Sequence, residues 1–289
     1  MQSSSPTSAN SLQGIAYHLS PKAGSKAYAR PLLFVHGAWH GAWCWNEGFL
    51  QYFADRGFEV LALDLPGHDE QSMKSRKSIR GLGARDYVEA VTAIADGCER
   101  TPILIGHSMG GYIVQKAMER LPRPASAMIL LASVPPAGVW RTTLKIALHY
   151  PLQFLEVLLT LRLYPLVRKA GHARRHFFSP GVSDEDFARH HERIGDEAFR
   201  AFLDMLLLKL PRKKKIRGVP ALVLGARQDQ IFTPAEVQAT AHAYHAELTI
   251  FPDMAHDMML EPGWESVADC MIAWLRSFDI SDSAELPEF

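Results

Sequence analysis

A chain of 289 residues, 47% of them hydrophobic, is long enough to bury a sizeable core, and one substantial domain carrying an insertion is the simplest expectation. Lys plus Arg equals Asp plus Glu at 31 each, so net charge supplies no general attraction to nucleic acid or to an anionic membrane. Cys44, Cys98 and Cys270 are too few and too scattered for a disulfide scaffold or a thiolate metal site, which favours a reduced, cytoplasmic setting.

In chain order, "MQSSSPTSANS" over residues 1–11 has the small, polar composition of a flexible leader, and no secretory apolar region follows Met1. Short apolar runs bounded by turn residues follow at 32–35, 58–63, 102–106, 127–134, 219–224 and 248–251. Longer stretches suited to helices lie between most of them, at about 42–55, 83–99, 109–121, 235–245 and 264–278. Strand and helix alternating in this way predict a mostly parallel sheet with helices on both faces. Between Pro135 and Pro220 the alternation stops, and helical stretches at 140–169 and 184–210 predict a cap over the carboxyl edge of the sheet. The expected division is core at 12–136 and 218–280, cap at 137–217, and an acidic tail, "SDSAELPEF", at 281–289.

The most apolar segment, "LKIALHYPLQFLEVLLTLRLYPLV" at 144–167, is interrupted by Lys145, His149, Pro151, Glu156, Arg162 and Pro165, so no transmembrane segment is expected. Its leucines exceed what an exposed lid should display. Some are expected to face the core and some to line an apolar pocket; helices lying on a bilayer surface are the alternative. The basic run "KLPRKKKIR" at 209–217 reads as a solvated linker rather than a nucleic-acid contact.

Chemistry concentrates in "PILIGHSMGGYIVQKAMERL", a strand that ends at Ser108 and a helix that begins immediately after it. Gly106 and Gly110 remove side chains that would collide across so sharp a turn, leaving the Ser108 hydroxyl projecting above the sheet as a candidate nucleophile. The backbone N–H of Met109 would then point toward an anion forming on an attacked carbonyl. A serine hydroxyl needs a base and a group to orient it. Asp229 follows the strand at 219–224 and His256 follows the strand at 248–251, in the order and on the edge required. Asp253 and Asp257 beside His256, and more weakly Asp184 and Asp186, are the rival acids. "LLFVHGAWHGAWCW" ends a strand in His36-Gly37, so the Ala38 N–H is the candidate partner of the Met109 N–H, with His36 organising the loop. Trp39 is a candidate pocket wall, Trp43 and Trp45 are expected in the core, and His107 is either a substrate contact or packs behind the turn. His172, His176, His190 and His191 have zinc-like spacing but no fixed carboxylate or cysteine partner, so no metal site is expected.

With "HGAWHGAW", "DLPGH" at Asp64 to His68, "GHSMGG", "GARQD" and "AHDMMLEP" in this order, the chain resembles the α/β-hydrolase superfamily, over about residues 30–278. The opening motif is similar to that of plant-type esterases and hydroxynitrile lyases. The resemblance implies an α/β fold with a helical cap inserted after the sixth strand, and an oxyanion hole at Ala38 and Met109. The departures are a longer, more basic cap and Asp69-Glu70-Gln71 where many relatives turn through a small residue. A serine at the elbow argues against the epoxide hydrolases and dehalogenases, which use aspartate there, and no lysine stands out as placed for hydroxynitrile lysis. The expected activity is carboxylester hydrolysis of a small or medium apolar substrate, without metal or organic cofactor. The alternatives are a thioesterase, acyltransferase or carbon–carbon bond hydrolase with the same trio, or a non-catalytic binding protein. The oligomeric state, homodimer included, is left open.

Overall fold

The computed structural model describes residues 14–277, apart from 25–27, 76–78, 80, 123–124 and 217. The leader at 1–11, the tail at 281–289 and Arg217 of the basic run therefore lie outside the described residues. Seven strands form one sheet: β1 (Ile15–Leu19), β2 (Leu32–Val35), β3 (Val60–Leu63), β4 (Ile103–His107), β5 (Met128–Leu131), β6 (Ala221–Ala226) and β7 (Glu247–Phe251), in the spatial order β1-β3-β2-β4-β5-β6-β7. β1 pairs antiparallel with β3; every other pairing is parallel. β1 is absent from the sequence reading because its half-exposed residues alternate over only five positions and lack the continuous apolar run of the central strands.

Eleven α-helices are described. Five precede or follow the strands of the first half or open the cap: α1 (Phe49–Ala54), α2 (Glu70–Ser75), α3 (Ala84–Gly97), α4 (Met109–Met118) and α5 (Trp140–His149). The rest are α6 (Pro151–Thr160), α7 (Ala170–Phe177), α8 (Asp184–His191), α9 (Phe199–Leu203), α10 (Pro234–Tyr244) and α11 (Trp264–Ser277). The sheet is buried on both faces, so alternate strand residues feed two cores. Leu33, Val35, Leu104 and Val223 pack with α3, α4 and α10; Leu32, Phe34, Ile105 and Leu224 pack with α1 and α11.

The helical insertion α5–α9 enters after β5, the fifth strand in chain order and not the sixth, because a single strand, β1, precedes β2. Pro151 at the first position of α6 splits the expected 140–169 helix into α5 and α6, as a residue without an N–H does where the chain must turn. Likewise the 42–55 stretch becomes a 3₁₀ turn at Ala42–Trp45 and α1, parted by Gly48 at φ 133°. No described helix is long and apolar enough to cross a membrane.

Of the cap's leucines, Leu163 and Leu166 turn inward as expected, buried and lining the cavity beside Ser108, but the others do not. Leu144, Leu148, Leu152, Leu155, Leu158, Leu159 and Leu161 are exposed, from 49% to 77%. The inward positions of the same helices are taken instead by Ile146, Phe154 and Val157. The physical reason is helical period: a run this rich in apolar residues fills both faces, and only one can be covered.

Candidate active site

Because β2, β4, β5, β6 and β7 run parallel, the loops that follow them open on one edge of the sheet. Ser108 sits there between β4 and α4 with φ 51° and ψ −118°, a conformation strained for any L-residue. Its N–H donates to the Leu131 carbonyl at 3.0 Å, and its carbonyl accepts from Val134 N–H at 3.1 Å, so β5 fixes the turn.

The glycines answer to backbone proximity. A Cβ on Gly106 would lie 2.5 Å from the Gly110 carbonyl oxygen, one on Gly110 would run into the Val35 and His36 carbonyls, and one on Gly111 into the Ser133 side chain. Gly37 is equally constrained, since a Cβ there would stand 2.8 Å from His107 Nδ1 and 3.1 Å from Ser108 Cβ. The loop after β2 is thereby pressed against the turn.

His36 holds that loop. Its Nδ1 faces the Gly37 carbonyl at 2.8 Å, and its Nε2 accepts from Leu65 N–H at 3.0 Å. Complete burial, reinforced by neighbouring His68, pushes its pKa well down, so the ring is neutral and the tautomer is set by these two bonds. Ala38, Ser108 and Met109 line one narrow cavity of about 70 Å³. Among the described residues neither the Ala38 nor the Met109 N–H is used in a hydrogen bond. Trp39, at φ 64°, forms part of the same wall.

His256 and Asp229 are joined. His256 Nδ1 lies 2.8 Å from Asp229 Oδ2, while Asp229 Oδ1 accepts from the N–H groups of Ile231 at 2.7 Å and Phe232 at 3.0 Å. The loop carrying Asp229 is anchored by a capping box at the start of α10, where Thr233 and Glu236 bond reciprocally and Pro234 takes the first helical position. It is tied to the His256 loop by Gln228 N–H donating to the Met254 carbonyl at 3.0 Å. The His256 ring packs on Phe232, a cavity-lining residue, with centroids 5.6 Å apart. The Ser108 hydroxyl makes no hydrogen bond among the described residues.

Of the rival acids, Asp257, Asp184 and Asp186 are paired elsewhere. Asp257 pairs with His40 Nε2 at 3.1 Å in a site where both side chains are essentially inaccessible. Burial opposes charge on each, but their attraction outweighs it, raising the His40 pKa and lowering that of Asp257. Asp184 pairs with Arg174, and Asp186 with Arg189 and the Ser183 hydroxyl.

His107 is a correction to the pocket assignment. It is 1% exposed and lies behind the turn, with Nε2 donating to the His256 carbonyl at 3.0 Å and its ring 4.8 Å from that of His256. Burial and the neighbouring His256 push its pKa down to about 3. It positions the His256 loop and lines no part of the cavity over Ser108.

Sequence reasoning missed three features. "DLPGH" acquires a role: His68 Nε2 is 2.9 Å from buried Glu197 of the cap segment, and Asp64 accepts from Ala42 N–H at 2.7 Å. Glu197 also accepts from Tyr87 hydroxyl at 2.9 Å and borders the cavity, so it ties cap to core beside the site. No pattern marks Glu197, because its partners come from distant stretches of chain. Lys145, too, comes near the site. It lines a second cavity of about 280 Å³ whose wall, including Trp39, Thr142 and Ile146, is shared with the first, and its Nζ donates to the Gln230 carbonyl at 2.6 Å.

Among the described residues, one group of metal-ligating side chains gathers its atoms within 4.8 Å: His107, His256 and Asp257. Those groups are already committed to the His256 carbonyl, Asp229 and His40 respectively. His172 and His176 both pack on the Tyr150 ring, tilted at 4.7 Å and edge-on at 5.2 Å, and His190 stacks on Trp43 and Phe178. Trp43 and Trp45 are buried, as expected.

Strained serine after a central parallel strand, joined His and Asp on later loops and a helical insertion above them define an α/β-hydrolase arrangement, and the chain belongs to the alpha/beta hydrolase family, whose profile matches residues 32–269. Particular relatives are similar to part of the chain. "Probable esterase PIR7A" of Oryza sativa is 37% identical over 108 residues, 37% of this chain and 40% of the relative. Norfluorocurarine synthase 1 of Strychnos nux-vomica is 34% identical over 111 residues, with the same coverage of 37% and 40%. The chain thus matches about two fifths of the length of these curated relatives. Among solved structures, an esterase from Thermogutta terrifontis superposes with a TM-score of 0.65 at 18% identity, covering 90% of this chain and 92% of that one, which is a likeness of fold.

Proposed function

We propose that the protein is a serine hydrolase of the esterase kind, acting through an acyl-enzyme on Ser108. The observation that carries this is that Ser108, Ala38 and Met109 line one apolar cavity with two uncommitted amide donors, while a His256–Asp229 pair is held on the adjoining loops. The similarity to plant esterases in the opening motif supports the same reading.

In this mechanism Ser108 Oγ bonds to the acyl carbon as its proton passes to His256 Nε2. The Ala38 and Met109 N–H groups hold the oxyanion. Collapse breaks the bond to the alcohol, which leaves with the proton from His256. Water then attacks the acyl-enzyme, giving up a proton to His256, and the acid departs with Ser108 restored. Asp229 keeps Nδ1 protonated and offsets the imidazolium charge. The walls contributed by Val134, Ile146, Phe154 and Phe202 suit an apolar acyl or aromatic group of small or medium size. No metal or cofactor enters these steps.

A fluorophosphonate probe and a series of p-nitrophenyl esters test the proposal. Wild-type protein should label at one serine and hydrolyse the esters; Ser108→Ala should lose labelling and about 10⁴-fold or more in kcat. Hydrolysis surviving in Ser108→Ala would overturn the assignment. A relative named as a synthase favours one second reading, acyl transfer or carbon–carbon cleavage by the same trio. Product formed on an added acceptor, or cleavage of a carbon–carbon bond beside a polarised ketone faster than of a matched ester, would select it.

A further inference from the structure

We infer that the outer face of the cap helices α5 and α6 is a docking surface for an anionic lipid bilayer. The two helices are two-sided. Thr142, Thr143 and Ile146 of α5, and Phe154 and Val157 of α6, turn toward the cavity above Ser108. On the outward side Leu144 and Leu148 stand four residues apart on α5, and Leu152, Leu155 and Leu159 follow at three- and four-residue spacing on α6, each between 52% and 77% exposed. Leu158 and Leu161 add 49% and 57% exposed side chains at the end of the pair. Leucine on this scale is what a soluble surface avoids and an interfacial helix requires.

Charge identifies the occupant. From Trp140 to Phe177 the chain carries seven Lys and Arg and a single carboxylate, Glu156, in a protein whose total formal charge is zero. Glu156 is itself neutralised by a two-pronged bond with Arg168, at 2.9 and 3.1 Å. Arg141 and Lys169 are exposed beside the leucines; Lys145 and Arg175, exposed as well, border the second cavity, and Arg162 and Arg174 pair with Asp196 and Asp184. Over residues 137–217 the imbalance reaches sixteen cations against eight carboxylates, so the remainder of the chain holds the compensating negative charge. An anionic headgroup layer would receive the cations while its acyl boundary takes the leucines. A second copy of the chain fits less well, because a two-fold contact through this face would bring the same cations against one another.

Co-sedimentation of the full chain with vesicles tests this without reference to catalysis. Binding is expected to vesicles of phosphatidylcholine containing phosphatidylserine, to weaken at least tenfold on pure phosphatidylcholine or in high salt, and to weaken at least tenfold in L148S/L152S/L159S. Those three leucines do not line the cavity, so the variant should keep the wild-type melting temperature and labelling by the serine probe. Ser108→Ala should bind vesicles as wild type does, which separates this inference from the proposed function. Failure of the wild type to bind either vesicle, or undiminished binding by a folded triple variant, would overturn it. So would a dimer in sedimentation velocity that the same substitutions dissociate, since the face would then belong to a second copy.

Discussion

Asp229 and Asp257 are both candidates for His256 by chain position, and the structure bonds only the distant one. An immediate neighbour such as Asp257 has its side chain directed away from Nδ1, into the buried pair with His40. Asp229→Asn should therefore leave the fold intact and lower kcat by about 10⁴-fold, through loss of the required tautomer. Asp257→Asn should act on stability instead, costing about 3–5 kcal/mol by leaving His40 buried without its counter-charge. Parallel ester assays and urea denaturation of the two variants check this, and the reverse pattern would exchange the two acids. Ser108, His256 and Asp229 were legible because each follows an apolar strand at a recognisable distance. His107 was not, since nothing in a linear string distinguishes a histidine in front of a turn from one behind it.

At the scale of elements, the alternation of apolar runs located six strands, and the missed seventh is the half-exposed edge strand β1, whose weak signal is what an edge position permits. The cap is helical as expected, and Leu163 and Leu166 line the cavity, but most of its leucines face solvent. Phe154 and Val157 on α6 are separated by three residues and face the cavity, whereas the more numerous leucines face out. Phe154→Ala should consequently shift selectivity toward longer acyl chains. The ratio of kcat/KM for hexanoate over acetate esters should rise about tenfold or more, in line with the 1–3 kcal/mol that one methylene is worth in a fitted apolar pocket. A ratio unchanged by this substitution would mean that the acyl group lies elsewhere, for instance in the second cavity beside Lys145.

Across the whole molecule, buried histidines link the loops that carry the site to its response to acid. Two are paired with carboxylates and raised, His40 by Asp257 and His68 by Glu197, in both cases against the opposing effect of burial. His107 is held neutral, with a pKa down to about 3 against about 6.5 for an unfolded imidazole. Between those values the unfolded chain binds a proton at this position that the folded protein refuses. Stability is thus fully present above pH about 6.5 and is lost as pH falls toward 3, at up to about 1.4 kcal/mol per unit from this group. Unfolding free energies measured from pH 7 to 4 should therefore fall more steeply in wild type than in His107→Gln, whatever the variant's absolute stability. Equal slopes would mean that His107 accepts its proton inside the fold.

Several things are legible along the chain alone: the mostly parallel α/β sheet, the glycine-lined turn at Ser108, the chain order of Ser108, Asp229 and His256, and a helical insertion between Pro135 and Pro220. These follow from local causes, namely apolar period, absence of Cβ, and turn chemistry, which act over a few residues and leave their mark in the string. Only the tertiary structure decided which acid holds His256, that Glu197 reaches His68, that His107 lies behind the turn, and which face of the cap meets solvent. Each of these depends on the direction of a side chain relative to elements tens or hundreds of residues away, and that direction is set by packing rather than by neighbours in sequence.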